Sequence, residues 1–181
     1  MFRFAASLTF AAVPFAFVRV PVTCALLAGS LAALAAAAGP AGAQTPRQRQ
    51  VEQRGQSVMP FDQRRTVHVF RELPDGGVQR VVAKDQRDAG QVALVRAHLR
   101  AEARRFAHGD FGDPAAIHGG AMPGLAELAR GYESVHVTYA DVPGGGAIRY
   151  ASADPRLVAA LHRWFAAQSA DHGAHAVHMP M

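Results

Sequence analysis

The C-terminal stretch 171–181 concentrates side chains that bind metal ions. It contains three histidines at three-residue steps and two methionines: His172, His175, His178, Met179 and Met181. Imidazole and thioether groups suit copper and other late transition metals, and a flexible tail can bind such an ion without a preformed cavity. The alternative is a solvated tail with no specific ligand, because chain termini are often poorly ordered.

A second candidate pair lies inside the chain. His98 and Glu102 are four residues apart in a segment whose apolar residues recur every three or four positions, so we expect them to be neighbours on one helix. Such a pair can supply two metal ligands, or a histidine oriented by a carboxylate for proton transfer. Histidine–carboxylate pairs are also common on solvated helix surfaces, so the spacing leaves both interpretations open.

His118 lies in a loop, 110–122, that is rich in glycine, aspartate and proline. Long irregular loops on compact domains often carry function, although Asp113-Pro114 is equally a turn or helix-start signal. The predicted metal ligands are therefore His98, Glu102, His118, His172, His175 and His178.

The first 43 of the 181 residues have the features of an export signal. Arg3 and Arg19 precede an apolar run, 20–38, and Ala41-Gly42-Ala43 places small residues where signal peptidase requires them. A membrane-spanning helix is the alternative, but Pro21 and Gly29 interrupt the run. We predict cleavage after residue 43 and a periplasmic or secreted protein.

Cleavage would remove the only cysteine, Cys24, and keep all nine histidines. A copper or zinc ion would then be held by histidine with carboxylate or methionine. Residues 21–24 lack a lipoprotein pattern, so no stable membrane anchor is predicted. The basic run 47–54 has no interleaved aromatic residues, which disfavours nucleic acid as a partner.

The remaining chain has the organisation of one small domain. Residues 44–57, rich in glutamine and arginine, are predicted to be a disordered linker; 58–172 form a single α+β domain and 173–181 a His/Met-rich tail. Two ββα units, 66–108 and 134–172, each place a Pro-Gly turn between strands and an aspartate before a helix. We predict a duplicated unit and a four-stranded antiparallel sheet packed by helices; chance similarity is the alternative.

The first strand of each unit carries the same triplet, Val67-His68-Val69 and Val135-His136-Val137. Because side chains alternate between the faces of a sheet, the valines are expected to face the core and both histidines the opposite side. His68 and His136 are therefore interpreted as scaffold residues.

Several motifs are specific enough to indicate a resemblance, among them 109–114 (Gly-Asp-Phe-Gly-Asp-Pro), 117–119, 122–125 and 171–175. Residues 58–176 resemble a family of small bacterial proteins that often carry the name aspartate carbamoyltransferase. The resemblance implies a shared fold and role. It does not imply carbamoyl transfer, since the phosphate-binding Ser-Thr-Arg-Thr-Arg motif and the second domain of that enzyme are absent from this sequence.

Three functions remain open. The leading hypothesis is an exported domain that binds a transition metal or a metal-containing ligand. The second is a small enzyme that uses a histidine–carboxylate pair in a closed pocket. The third is a non-catalytic domain whose sheet presents an apolar patch around Phe70 and Tyr139 to a protein partner. The sequence does not decide whether the protein is an enzyme, because the Gly-x-Ser-x-Gly, phosphate-loop and His-Glu-x-x-His motifs are missing.

Overall fold

The structure is a computed structural model and describes residues 43–181. Its helices and strands follow one another as α1 Pro46–Val58, β1 Thr66–Leu73, β2 Gly76–Ala83, α2 Ala89–Phe106, α3 Gly112–His118, α4 Leu125–Arg130, β3 His136–Val142, β4 Gly145–Ala151, α5 Pro155–His172 and β5 Ala176–Met179. The predicted signal peptide lies almost entirely outside the described residues. None of the helices within 43–181 is long and apolar enough to cross a membrane.

The two hairpins form where the turn chemistry predicts them. Pro74 and Asp75 connect β1 to β2, and Pro143 and Gly144 connect β3 to β4. Gly144 adopts a φ of +72°, a left-handed conformation in which a side chain would be strained. Each following helix begins after an aspartate whose carboxylate accepts a backbone N–H of the first turn.

The strands form one five-stranded mixed sheet in the order β3-β4-β2-β1-β5. The predicted α+β class is confirmed, and β1 to β4 are antiparallel. The predicted count of four strands is wrong, because residues 176–179 of the expected tail pair in parallel with β1. The free edge of β1 offers backbone hydrogen bonds that a tail in solvent would make only to water.

Helix α1 corrects a second expectation. Most of the predicted disordered linker, 44–57, belongs to helix α1, Pro46–Val58, which contacts α3 and α5. Thr45 and Gln48 form a reciprocal capping box at its start, and Val51 is buried with 1% of its surface exposed. Composition favoured disorder because this helix has little apolar surface; polar contacts to the rest of the domain hold much of it in place.

Helices α2 and α5 cover the same face of the sheet. Helix α2 packs mainly on β3 and β4, whereas α5 packs on β1, β2 and β5. The core between them is largely aromatic, with edge-to-face contacts of Trp164 with Phe106, Phe111 and Tyr150 at ring-centroid distances of 5.7–5.9 Å. Each long helix therefore packs mainly on the hairpin that does not precede it in sequence.

The predicted orientation of β1 is wrong. His68 is 3% exposed and faces the core with Thr66 and Phe70, while Val67 and Val69 are half-buried on the opposite face. On β3 the expectation holds, since His136 is exposed and Val135 is buried. The two triplets thus face opposite ways, because Phe70, fully buried beside Phe165, sets the inward side of β1.

A buried α1 predicts a measurable contribution to stability. We expect Val51→Ala to lower the free energy of unfolding by about 1.5–3 kcal/mol, because it removes two buried methyl groups and leaves a cavity. Urea unfolding of the described domain measures the change. Leu94→Ala, at a helix position 40% exposed, is the control and should change stability by less than about 0.5 kcal/mol. Equal effects would indicate that α1 is not docked.

Candidate functional site

A small cavity of about 30 Å³ lies where α2, α3 and α5 meet the inner face of β1 and β2. Four of the six predicted ligands line it: His98, Glu102, His118 and His172. His68 joins them, although its sequence pattern had marked it as scaffold. The remaining polar side chains of the wall are Gln79, Asp113 and Gln168, and the apolar ones are Met59, Phe61, Val81, Leu99, Phe106, Pro114 and Ile117.

Three imidazole rings form the centre of this pocket. The rings of His68 and His172 stack with 4.5 Å between centroids and 10° between planes, and His118 meets His172 edge-on at 5.0 Å. Burial lowers the pKa of His68 to about 3, with the neighbouring histidines adding to the effect. Burial, followed by the nearby His68, His118 and His175, also holds the pKa of His172 well below its ordinary value. Both rings are neutral at pH 7.

His118 is held by a hydrogen bond with Asp171 on the outer side of the pocket. Its Nδ1 lies 2.9 Å from Oδ2 of Asp171, and only 2% of its side chain is exposed. Asp171 in turn accepts hydrogen bonds from Arg47 of α1. Burial lowers the pKa of His118, and the Asp171 carboxylate opposes that shift without cancelling it. The bond to Asp171 leaves Nε2 as the free ring nitrogen.

Glu102 is the buried carboxyl group of the pocket, with 5% of its surface exposed. The pKa of Glu102 is raised to about 8, chiefly by burial; a hydrogen bond with Asp113 and the charge of Asp113 contribute to the rise, and Arg105 opposes it. Glu102 is therefore largely protonated at pH 7. One turn earlier on α2, the half-buried His98 meets Phe61 edge-on at 5.6 Å, and burial lowers its pKa.

Three polar atoms of these wall residues have no hydrogen-bond partner within the described part of the chain: His68 Nδ1, Glu102 Oε1 and Gln168 Nε2. Buried polar groups in proteins are nearly always paired, so unpaired atoms around one cavity indicate a site that accepts a ligand. A volume of about 30 Å³ suits an ion or one to two water molecules, whereas organic ligands occupy pockets of about 300–1,000 Å³.

The two predicted ligands of the tail lie outside the pocket. His178 is on β5, where its Nε2 lies 2.9 Å from Oε1 of Glu72. His175 is in a turn after α5, half-buried, with an unpaired Nδ1. Neither of them lines the cavity. The pairing of β5 with β1 therefore holds His178 away from the cavity, whereas His175 lies near enough to His68 and His172 to lower their pKa values without lining the cavity itself.

The side chains of the pocket do not already form a metal centre. Within residues 43–181, no three histidine, cysteine, aspartate or glutamate side chains are arranged to hold one ion. The stacked rings of His68 and His172 show why, since the nitrogen lone pairs of parallel imidazoles do not point at a common position. Coordination would require rotation of at least one of these rings.

Comparisons with known proteins do not assign the chain to a family. No family model matches it, no curated protein is significantly similar in sequence, and no solved structure is significantly similar in fold. The resemblance to the proteins that carry the name aspartate carbamoyltransferase stays a prediction from motifs. The candidate site therefore stands on its own geometry.

The raised pKa of Glu102 predicts how stability depends on pH. Between pH 5 and 8 the unfolded chain has lost this proton and the folded chain keeps it, so the contribution of Glu102 to stability falls as pH rises. We expect Glu102→Gln to gain stability relative to the wild type across this range, by at most about 1.4 kcal/mol per pH unit.

Urea unfolding of both proteins at pH 5, 6, 7 and 8 measures the difference. Glu127→Gln, at an exposed carboxylate on α4, is the control for loss of a glutamate charge and should change stability by less than about 0.5 kcal/mol. A pH-independent difference for Glu102→Gln would show that this carboxyl group is ionised in the folded protein.

Proposed function

We propose that this domain binds one transition-metal ion in the histidine pocket, which we define as the cavity lined by His68, His98, Glu102, His118 and His172. The observation that carries the proposal is the convergence of four imidazoles and a carboxyl group on a cavity that has room for an ion and not for an organic substrate.

The protonation states of the pocket favour metal binding. A metal ion binds the neutral imidazole, and burial already keeps His68, His118 and His172 neutral at pH 7. Glu102 has to release its proton before it can coordinate. With a pKa of about 8, this costs about 1.4 kcal/mol at pH 7.

The rearrangement that coordination requires is small beside the energy of metal binding. Moving an imidazole away from its preferred rotamer costs about 0.5–1.5 kcal/mol, whereas structural zinc sites contribute about 10–16 kcal/mol at pH 7. Nitrogen and carboxylate ligands suit zinc or copper, and the thioether of Met59, also in the wall, would favour copper in its reduced state. Export to the periplasm or beyond remains part of this proposal.

Metal titration of the tag-free mature protein tests the proposal. We expect one equivalent of zinc or copper in native mass spectrometry, and a loss of affinity of more than about 100-fold in His118→Ala and in His172→Ala, exceeding the effect of removing an outer-sphere partner. His178→Ala and the exposed His136→Ala are matched controls that should bind as the wild type does. Binding that is lost in His178→Ala and kept in the pocket variants would overturn the proposal.

A second candidate function is acid–base catalysis in the same pocket, acting on water or on a reacting group of similar size that reaches into the cavity. It is favoured by the contrast between His118, a neutral base oriented by Asp171, and Glu102, a carboxylic acid protonated at pH 7. None of the residues around the cavity is a serine, threonine, cysteine or lysine, so a covalent intermediate could form only on a histidine or a carboxylate of the wall. If the pocket binds no stoichiometric metal, this function becomes the better supported one.

The structure gives less support to the protein-binding alternative, because Phe70 is fully buried and offers no contact surface.

We also propose that the domain arose by duplication of a ββα unit. The matched order of hairpin, capping aspartate and long helix supports this, and so does the pairing of the two hairpins through β2 and β4. The opposite orientations of His68 and His136 require that any repeat alignment shift by one residue between the first strands.

A further inference from the structure

The carboxylate of Asp171 contacts the histidine pocket from outside. Asp171 does not line the cavity; it lies in a separate surface depression beside Arg47 and the loop 119–123. It reaches the pocket through the hydrogen bond from Nδ1 of His118. A carboxylate in this position cannot coordinate an ion inside the cavity. It can, however, control the orientation of the His118 ring and which of its nitrogens carries the proton.

We propose that Asp171 is a positioning residue: it accepts the Nδ1 proton of His118 and so fixes the tautomer in which the Nε2 lone pair is free to bind an ion in the cavity. This inference rests on the proposed metal function. Metal-binding histidines in proteins usually donate their second ring N–H to such a partner, which raises the basicity of the ligating nitrogen and orients the ring.

Arg47 completes the arrangement from helix α1. Its Nε and Nη2 donate to the two oxygens of Asp171 at 2.9 and 2.6 Å, and Nη2 also lies 2.5 Å from the carbonyl oxygen of His118. The guanidinium of Arg47 pairs with both carboxylate oxygens and balances their charge. The carboxylate has no proton of its own to donate and can only accept the one on Nδ1 of His118.

Replacement of Asp171 by asparagine would reverse the hydrogen bond. Asparagine has one side-chain oxygen, and the guanidinium of Arg47, which only donates, would bind it. The amide NH₂ group would then face His118 and donate to Nδ1. The ring proton would move to Nε2, and the lone pair offered to the cavity would be lost.

Two measurements test the inference separately. Nitrogen-15 NMR of the metal-free protein at pH 7 should show His118 with its proton on Nδ1 in the wild type and on Nε2 in Asp171→Asn. Titration with zinc should show an affinity about 10–100-fold weaker in Asp171→Asn, the usual effect of removing an outer-sphere partner. Asp171→Glu, which keeps the charge, should recover part of that loss.

The chain offers a matched control. Glu72 accepts a hydrogen bond from His178 Nε2 at 2.9 Å, a histidine–carboxylate pair of the same kind outside the pocket. Glu72→Gln should leave both the His118 tautomer and the affinity for zinc unchanged. A wild-type His118 protonated on Nε2 would overturn the positioning role, and this measurement needs no variant to fold.

The remaining outcomes separate the two proposals. A tautomer that changes in Asp171→Asn while the wild type binds no zinc or copper would support the orientation by Asp171 and reject the metal function. Zinc binding with equal affinity in the wild type and Asp171→Asn would support the metal function and reject Asp171 as its positioning residue.

Discussion

The structure depends on the burial of titratable side chains between helices α2 and α5 and the inner face of the sheet. His68 and His172 are stacked in the core, and the pKa of His68, about 3, records how strongly its environment excludes the charged ring. An unpaired buried polar group costs about 1–3 kcal/mol. A purely structural core would avoid that cost, which supports the proposal that the pocket binds a ligand.

The apolar packing around the pocket offsets the cost of these polar groups. Trp164, Phe165 and Phe70 are each fully buried and lie on the same elements as His68 and His172. Burying such aromatic residues stabilises the fold by about 1.5–3 kcal/mol each, which is of the size needed to offset the cost of the unpaired polar atoms. Core and site are therefore built by successive turns of α5 and by neighbouring inward-facing residues of β1.

Two segments that composition marks as poorly ordered, α1 and β5, complete the site. Helix α1 places Arg47 against Asp171 and the backbone of His118, and β5 pairs with β1 opposite His68. Both contacts join segments far apart in the sequence. The pocket therefore has helix α1 on its outer side and strand β5 beside the strand that carries His68. Changes in either segment can act on the histidines.

The sequence by itself determined the local features of this protein: the two turns with proline, the helices begun by Asp88 and Asp154, and the spacing that makes His98 and Glu102 neighbours. These depend on interactions within a few residues. It also identified four of the five titratable side chains that define the pocket, because their types suit metal or proton chemistry wherever they lie. The tertiary structure alone decided the inward face of β1, the docking of α1 and the pairing of β5. Alternation defines two faces of a strand, but the packing of Phe70 against Phe165 decides which one is buried, and that contact joins residues that no local pattern connects.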